Sequence, residues 1–373
     1  MKSLPYVRVL LVLAVFLGIA YFFAVKNKSA SHTTLPGRTG QSGDTPSNVA
    51  AVTVTGIVGG EKIGFLTDPA VLNILRDKYG ITLNTSKAGS IEMVKGSTAG
   101  QDFLWPSSQV AGEIYKERGG KQLRSDTVFS SPIVLYSWAP VVDQLIKQGI
   151  VRQLSGAYYI VDFPKLIAMI NAGKQWKDIG LTDLYGRVSI RSTDPAKSNS
   201  GMMFAGLLAN TLNNDVATAD SVSKELPTLK VFFGRLGYME GSSGDLFTQF
   251  VTQGEGQNPI IVGYENQLTE YTLEHQDYKA MIQSQIRILY PRPTVWSDHP
   301  LIALTDNGSK LLTALHDDPE LRRLAWEGHG FRTGLQNDPA KLQVSGIPAT
   351  IQNVVPMPKP RVMDIILKAL SEN

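Results

Sequence analysis

From Ala51 onward the chain alternates between short β-branched runs and helical segments, and this alternation limits the possible folds more than any other feature. The runs AVTVTGIV, ITLNTS, SSPIVLYSW and NPIIVGY are each followed by a segment with helical features. Glycine or proline residues mark the ends of many of these segments. Such an order predicts an α/β fold in which helices cover mostly parallel sheets.

Length and composition narrow the class of protein. The 373 residues suit two lobes of ordinary size, and the 43% of hydrophobic residues are enough to bury a core. The net charge of +3 comes without a long basic run or a basic–aromatic stripe, which disfavours nucleic-acid binding. The chain has no cysteine, which excludes disulfides, thiolate metal sites and a lipidated N-terminal cysteine.

The N-terminal region carries a long apolar stretch. Residues 9–25 contain no charged side chain. With residues 6–8 the stretch reaches about twenty residues, or roughly 30 Å of helix, enough to cross a bilayer. A cleaved signal peptide is the alternative, but Lys26 and Lys28 follow the stretch, and no good match to an A-x-A cleavage site comes after it. We therefore expect residues 1–26 to be an uncleaved single-pass anchor whose short N-terminal tail stays in the cytoplasm.

Residues 27–50 are rich in Ser, Thr, Gly and Pro and nearly free of large apolar side chains. A segment of this composition cannot bury enough surface to fold. It is therefore predicted to be a flexible linker with a root-mean-square reach of roughly 25–30 Å.

Four junctions between a predicted strand and the next helix carry small polar residues. They read IVGGEKIG (57–64), DFLWPSSQV (102–110), STDPAKSNSG (192–201) and VGYENQ (262–267). In open α/β sheets, ligands bind at the carboxyl ends of strands, where helix N-termini favour an anion or a strong acceptor. Capping and turn formation explain any single junction as well. Four of them in one chain favour a polar ligand site.

Signatures of catalysis and metal binding are weak. The five histidines have no metal-binding spacing, and the chain contains neither a G-x-S-x-G motif nor a Walker A loop. A hydrolase would need a nucleophile and a base within reach, such as Ser198 or Ser200 beside His299 or His329. We expect no enzyme activity, no cofactor and no metal site.

Seven motifs between residues 51 and 373 occur in a characteristic order: GGEKIGFL, SKAGSIEMVKG, QDFLWPSSQVAGEIYK, SSPIVLYSW, STDPAKSNSGMMFAGLLA, NPIIVGYENQ and LRRLAWEGHGFR. In this order the chain resembles the bacterial extracellular solute-binding proteins of the type II periplasmic class, with molybdate- and sulfate-binding proteins as distant relatives. The resemblance implies a solute-binding domain at 51–373 with two α/β lobes and a two-segment hinge. Lobe 1 would comprise 51–131 and 291–373, and lobe 2 would comprise 132–290. The chain would cross between them near residues 131–137 and 289–293.

The resemblance also assigns ligand contacts to the junctions. The residues concerned are Gly60, Glu61, Ser107, Ser108, Ser198, Asn199, Ser200, Gly201, Tyr264 and Glu265, with Ser90 and Ser131 as second choices. The turn at 60–62 departs from the hydroxyl-lined first turn of the oxyanion binders, which disfavours molybdate and sulfate. A zwitterion, another organic ligand, a glycan or a peptide fragment stays open.

These features together predict a membrane-tethered protein that captures a small polar or anionic ligand between two lobes. Its partner would be an ABC-type permease or a membrane sensor. It would sit in the bacterial inner membrane, with its folded domain in the periplasm or outside the cell. Two alternatives are a ligand-free scaffold within a membrane complex and a membrane-anchored hydrolase.

Overall fold

The computed structural model describes residues 50–334 and 337–372, which belong to one compact unit. The predicted anchor and nearly all of the predicted linker lie outside these residues. Within the described part of the chain, no helix is both long and apolar enough to cross a membrane.

The strands form two mixed sheets that share one long strand. Their bounds are β1 (Val52–Val58), β2 (Ile81–Lys87), β3 (Phe103–Trp105), β4 (Arg124–Trp138), β5 (Val151–Gln153), β6 (Tyr159–Asp162), β7 (Ile260–Tyr264), β8 (Ile286–Arg292) and β9 (Trp296–Ala303). The order across the sheets is β2-β1-β3-β9-β4-β8-β6-β5, and β7 also pairs with β4.

Helices cover both sheets. Their bounds in the first part of the chain are α1 (Ile63–Thr67), α2 (Pro69–Tyr79), α3 (Ser90–Lys95), α4 (Gln109–Glu117), α5 (Ala139–Lys147), α6 (Phe163–Asn171) and α7 (Asn199–Asn213). Those that follow are α8 (Val222–Gly234), α9 (Ser243–Gln253), α10 (Asn266–Glu274), α11 (Lys279–Gln285), α12 (Asp306–Asp317), α13 (Pro319–Glu327) and α14 (Pro360–Ser371). Short 3₁₀ turns lie at Gly60–Lys62, Trp176–Ile179, Gln276–Tyr278 and Pro339–Lys341.

Strand β4 changes partners along its length. It pairs with β9 as far as Pro132, which lies opposite Trp296, and from Ile133 onward it pairs with β7 and then β8. The change falls inside the segment 131–137, where the first crossing between lobes is predicted. We call β1, β2, β3, β9 and the first half of β4, with helices α1–α4, α12 and α13, the first lobe. The remaining strands, with helices α5–α11, form the second lobe.

The sheets are not mostly parallel, so that part of the prediction is wrong. β1 is parallel to β2 and β3, and β6 is parallel to β8, whereas β4 is antiparallel to β7, β8 and β9. β9 is also antiparallel to β3, and β5 is antiparallel to β6. Parallel neighbours require a crossover connection between them, and strand–helix alternation along the chain does not by itself show which strands become neighbours. The sequence of β9, WSDHPLIA, contains a charged residue and a proline. It therefore lacks the apolar run that marks a central strand.

Local sequence explains where several helices begin and end. At the start of α2, Asp68 accepts a hydrogen bond from the Ala70 N–H at 2.7 Å, and Pro69 occupies the first helical position. Gly80 ends this helix in the left-handed conformation, with φ at 64°. Asp318 caps α13 in the same manner as Asp68 caps α2. These caps hold the helices of the first lobe at fixed positions on the sheet.

Helix α7 forms part of the core of the second lobe. Its segment MMFAGLLA is apolar or small on every face, and the helix is buried from Asn199 to Asn210. Buried apolar residues form one cluster that spans the second lobe and reaches α4 and α14, and another that fills the first lobe. The first turn of α7 is therefore fixed by the packing behind it.

The C-terminal helix α14 contacts both lobes. It packs against α7 and α8 of the second lobe and against α4 of the first. The predicted boundaries assign all of 291–373 to lobe 1, but the packing does not confine α14 to that lobe. The exact lobe boundaries stay a prediction.

Candidate functional site

A cleft of ≈ 340 Å³ lies between the two lobes. The first lobe lines it with residues from the ends of β1, β2 and β3 and from α3, and the second lobe lines it around the N-termini of α7 and α9. The lining residues are Gly59, Gly60, Glu61, Lys87, Ala88, Gly89, Ser90, Glu92, Ser107, Lys197, Ser198, Asn199, Gly241, Ser242, Ser243 and Tyr264.

Parallel strands bring two glycine turns to the same edge of the first sheet. β1 and β2 are in register, with Val58 opposite Lys87, so the residues after each strand lie side by side. The Gly59 N–H donates to the Trp105 carbonyl at 3.1 Å, which adds the end of β3 to this edge. Glycine brings the backbone itself to the cleft, where no side chain separates it from a ligand.

Two helices of the second lobe point their N-termini at the cleft. α7 follows Ser198 and α9 follows Ser242, and both of these residues have extended backbone. Neither serine side chain caps its helix. The N–H groups of each first turn have no acceptor within their own helix, and the helix dipole favours negative charge beside them. The cleft therefore meets two uncapped helix ends.

Lysine side chains surround these helix ends. Lys87 and Lys197 are exposed at the cleft. Lys87 Nζ donates to Ser242 Oγ at 3.3 Å, a contact that joins the lobes, and Lys197 Nζ lies 3.2 Å from Asp194. Glu92 is the one exposed acidic residue in the lining. The rim thus carries two ammonium groups against one exposed carboxylate.

The floor of the cleft contains a buried ion pair. Lys62, which is fully buried, donates to Glu61 and to Ser107 Oγ at 2.9 Å, and Ser107 Oγ also donates to Glu61. Burial opposes the ionisation of Glu61, but the charge of Lys62 and these hydrogen bonds outweigh it and lower the pKa of Glu61 to about 2. Because Lys62 already neutralises this carboxylate, Glu61 is poorly suited to balance a cationic ligand.

Asn199 connects the lobes at the base of the cleft. Its Nδ2 donates to the Ser107 carbonyl and to the Tyr264 hydroxyl, both at 2.9 Å. The Ser107 carbonyl also accepts from Ser297. Asn199 Oδ1 is buried and has no hydrogen-bond partner in the described part of the chain. A donor group on a ligand would satisfy this oxygen.

The structure brings six of the predicted contact residues together and separates the others from them. Those that line the cleft are Gly60, Glu61, Ser107, Ser198, Asn199 and Tyr264, together with the second choice Ser90. Those outside its lining are Ser108, Ser200, Gly201 and Glu265, together with the second choice Ser131. A direct role in ligand binding stays a prediction for the residues that line the cleft.

Two residues of the SNSG motif act within the protein. Ser200 Oγ lies 2.7 Å from Thr193 Oγ1 and 3.0 Å from Ser198 Oγ. At Gly201, a Cβ atom would lie 2.9 Å from the Pro195 nitrogen, and closer still to the Thr193 carbonyl oxygen. The motif thus forms a wall of the cleft at its first two residues and a packing contact at its last two.

Glu265 is paired inside the protein. Its carboxylate accepts from Arg332 Nε at 2.6 Å, from Arg332 Nη2 at 2.9 Å and from the Tyr290 hydroxyl at 2.6 Å. The guanidinium carbon lies 5.9 Å from the ring centre of Trp296 and 5.3 Å from that of Trp326. With these partners, Glu265 is suited to holding the fold and poorly placed to bind a ligand.

Several residues that line the cleft were not predicted from the sequence. Lys87 is the last residue of β2, and Lys197 precedes the SNSG motif. Ser242 precedes α9 and Ser243 is its first residue. For α9 the signal is present, because EGSSGDLFTQF reads as serines before an amphipathic run. The lysines carried no signal of their own, since a single lysine beside a turn is typical of a solvated surface.

No serine–histidine pair occurs at the candidate positions. His299 is buried, and neither ring nitrogen has a hydrogen-bond partner in the described part of the chain. Burial, with the nearby charge of Lys62, lowers the pKa of His299 to about 3. The ring nitrogens of His329 lie 3.2 Å from Glu270 and 3.1 Å from Asp68. Over residues 50–334 and 337–372, no cluster of three or more His, Asp and Glu residues could hold a metal ion.

Comparison with known proteins identifies the fold. No family model and no curated protein sequence matches the chain. Among solved structures, a periplasmic thiamin-binding protein shares 10% identity over 90% of this chain and 98% of its own, with a TM-score of 0.56. A putative spermidine/putrescine ABC transporter from Listeria monocytogenes shares 13% identity over 86% and 98%, with a TM-score of 0.57. A sulfate-binding protein from Mycobacterium tuberculosis shares 15% identity over 86% and 96%, with a TM-score of 0.50.

These structures are similar to the chain over nearly all of its described part. They are described as binding proteins or as components of transporters. At such low identities the likeness shows the fold and does not extend to the ligand. The two-lobed α/β fold of periplasmic solute-binding proteins, which the resemblance implied, is confirmed.

Proposed function

We propose that this chain is an extracytoplasmic solute-binding protein, without enzyme activity, that captures a small polar or anionic solute between its two lobes. One observation carries the proposal: the uncapped N-termini of α7 and α9 lie around the same interlobe cleft as the side chains of Lys87 and Lys197. Free backbone N–H groups and ammonium groups are the donors that carboxylate or phosphate oxygens accept from.

The size and chemistry of the cleft narrow the solute class. A volume of ≈ 340 Å³ holds on the order of ten water molecules, since each occupies about 30 Å³ in the liquid. An inorganic oxyanion would fill only part of that space. The unpartnered Oδ1 of Asn199 calls for a donor on the solute. A small organic anion that also carries hydroxyl or N–H groups fits both features.

Closure of the lobes over the solute supplies the signal for a partner. Asn199 and Lys87 join the two lobes by hydrogen bonds in the described conformation. A solute that contacts both lobes binds this conformation better than an open one, and so shifts the population toward it. A permease of the ABC type, or a membrane sensor, would recognise the closed form.

The tether and the location belong to the same proposal. The charge-free stretch at 9–25 would anchor the protein in the bacterial inner membrane, and residues 27–50 would leave the binding domain free to rotate outside the cytoplasm. The polar lining of the cleft favours solute capture over a ligand-free scaffold. The absence of a serine–histidine pair at the candidate positions disfavours the hydrolase.

Thermal melting of the full-length chain in a mild detergent tests the proposal. The compounds are organic acids, phosphorylated sugars, neutral sugars, amino acids and short peptides. A ligand at 100 times its Kd adds about 2.7 kcal/mol of stability. We expect one class of organic anions to raise the midpoint by roughly 5 °C.

Three lysine variants locate the binding. Lys87→Ala and Lys197→Ala remove ammonium groups from the cleft, so each is expected to weaken binding about tenfold, as for the loss of a charged hydrogen bond. Lys147→Ala is the matched control, because Lys147 is an exposed residue of α5 outside the cleft lining. A melt that no compound shifts, even after unfolding and refolding to remove a carried-over ligand, would favour the scaffold.

A further inference from the structure

A second cavity lies beside the interlobe cleft and shares none of its lining residues. Its volume is ≈ 350 Å³, close to that of the cleft. It is bounded by the start of α4 in the first lobe, by Met203 of α7 in the second lobe, by β9, and by residues 354–359 before α14. The cavity therefore touches both lobes and the C-terminal segment.

One end of this cavity offers hydrogen-bond donors. Ser108 precedes α4, a helix of nine residues, with extended backbone and without capping it through its side chain. The first N–H groups of the helix, at Gln109 and Val110, belong to residues that line the cavity and have no acceptor within the helix. Ser108 also lines the cavity and is 1% exposed, and its Oγ is buried without a partner in the described part of the chain. A carboxylate would satisfy the amides and the hydroxyl together.

Two acidic side chains in the same lining favour the binding of a positively charged group. Asp298 accepts a hydrogen bond from Ser130 Oγ at 2.7 Å, and Glu113 lies one turn beyond Gln109 on α4. In the described part of the chain, neither carboxylate forms an ion pair with a basic side chain. Lys359 is the one basic residue in the lining, so the charged side chains there carry a net charge of −1. A ligand with an ammonium group beside its carboxylate matches this distribution.

The same cavity also has an apolar wall. Met203, Trp296 and Met357 line it, and all three are at least partly buried. Methionine and tryptophan side chains suit the contact with a flexible aliphatic group. We propose that this cavity is a second binding site, for a small zwitterion of the α-amino-acid type with an aliphatic side chain.

The test uses the full-length chain in detergent with ¹³C-labelled methionine methyl groups. The methyl signals of Met203 and Met357 are assigned with Met203→Leu and Met357→Leu and followed by NMR during titration with L-leucine. We expect both signals to shift with saturation. 4-Methylpentanoate lacks the ammonium group and 3-methylbutylamine lacks the carboxylate, so each is expected to bind about tenfold more weakly or worse.

Two variants are tested, so that the carboxylates can still be assessed if one variant folds poorly. Asp298→Asn and Glu113→Gln are each expected to weaken L-leucine binding about tenfold, and Asp143→Asn on the exposed face of α5 serves as the control that leaves it unchanged. Equal binding of L-leucine and its two singly charged analogues overturns the proposal. So does the absence of any shift at Met203 and Met357 up to about 10 mM, beyond weak specific affinity; the cavity then holds water only.

Discussion

The ion pair between Glu265 and Arg332 joins the start of α10 to the segment that follows α13. The two side chains are 0% and 5% exposed, and the guanidinium also donates to the carbonyls of Pro348 and Ala349 at 2.6 Å and 2.9 Å. The substitution Glu265→Gln keeps the size of the side chain but removes its charge. Arginine stays protonated in proteins, so the variant leaves a buried cation without its counter-ion.

The contacts of Arg332 set the loss of unfolding free energy expected for Glu265→Gln. Removing one partner of a buried ion pair costs about 3–5 kcal/mol. Arg332 retains its two carbonyl acceptors and its position near two indole rings, which places Glu265→Gln near the lower end, at about 3 kcal/mol. At roughly 2–4 °C per kcal/mol, the midpoint of thermal unfolding should fall by about 6–12 °C.

Urea unfolding followed by tryptophan fluorescence measures the effect. Glu274→Gln, at an exposed position of the same helix, is the control and should stay within about 0.5 kcal/mol of wild type. The double variant Glu265→Gln/Arg332→Gln should lose less stability than the sum of the two single variants, because the pair is coupled. A loss below about 1 kcal/mol for Glu265→Gln, or full additivity, would refute the reasoning.

Two further predictions concern protonation and packing. The carboxylates of Glu270 and Asp68 outweigh burial and raise the pKa of His329 above 6.5. The contribution of His329 to the free energy of unfolding is therefore complete below pH 6.5 and is lost as the pH rises through its pKa in the folded protein. Urea unfolding at pH 5.5 and at pH 8.5 should show that His329→Gln loses less stability than wild type when the pH is raised. An equal loss for the two proteins contradicts this prediction. Gly201→Ala should cost about 1–3 kcal/mol through overpacking, whereas Gly234→Ala, which meets open space, should be neutral or stabilising in the same assay; equal effects contradict the packing assignment.

The sequence carries enough to predict the type of fold. The runs SSPIVLYSW and NPIIVGY lie largely in β4 and β7. Helix α2 begins at Pro69 and ends before Gly80, as expected for a proline in the first turn and a glycine after the last. The sequence pattern did not predict β9, which combines a charged residue and a proline with a central position. Its environment is set by β3 and β4, which are distant in sequence, so local pattern could not reveal it.

Part of the candidate site could also be predicted from local sequence. Turn residues such as Gly60 and Ser198 lie in the cleft because they follow strands and precede helices, which a sequence pattern can express. Glu265 occupies an equivalent position, but its partner Arg332 lies 67 positions further along the chain. No local pattern distinguishes a junction carboxylate that faces a solute from one that faces a buried guanidinium.

The continuous strand β4 restricts which length changes the protein can tolerate. Successive side chains of a strand point to opposite faces, so one residue added at 131–133 would reverse the facing of every side chain from there to residue 138. The apolar residues in the second half of β4 are buried, and each would then face the side of the sheet that its neighbour in the strand faces now. Surface loops of the two lobes can lengthen or shorten freely by comparison. Among related chains, we expect insertions to collect in such loops and the count of residues through β4 to stay constant.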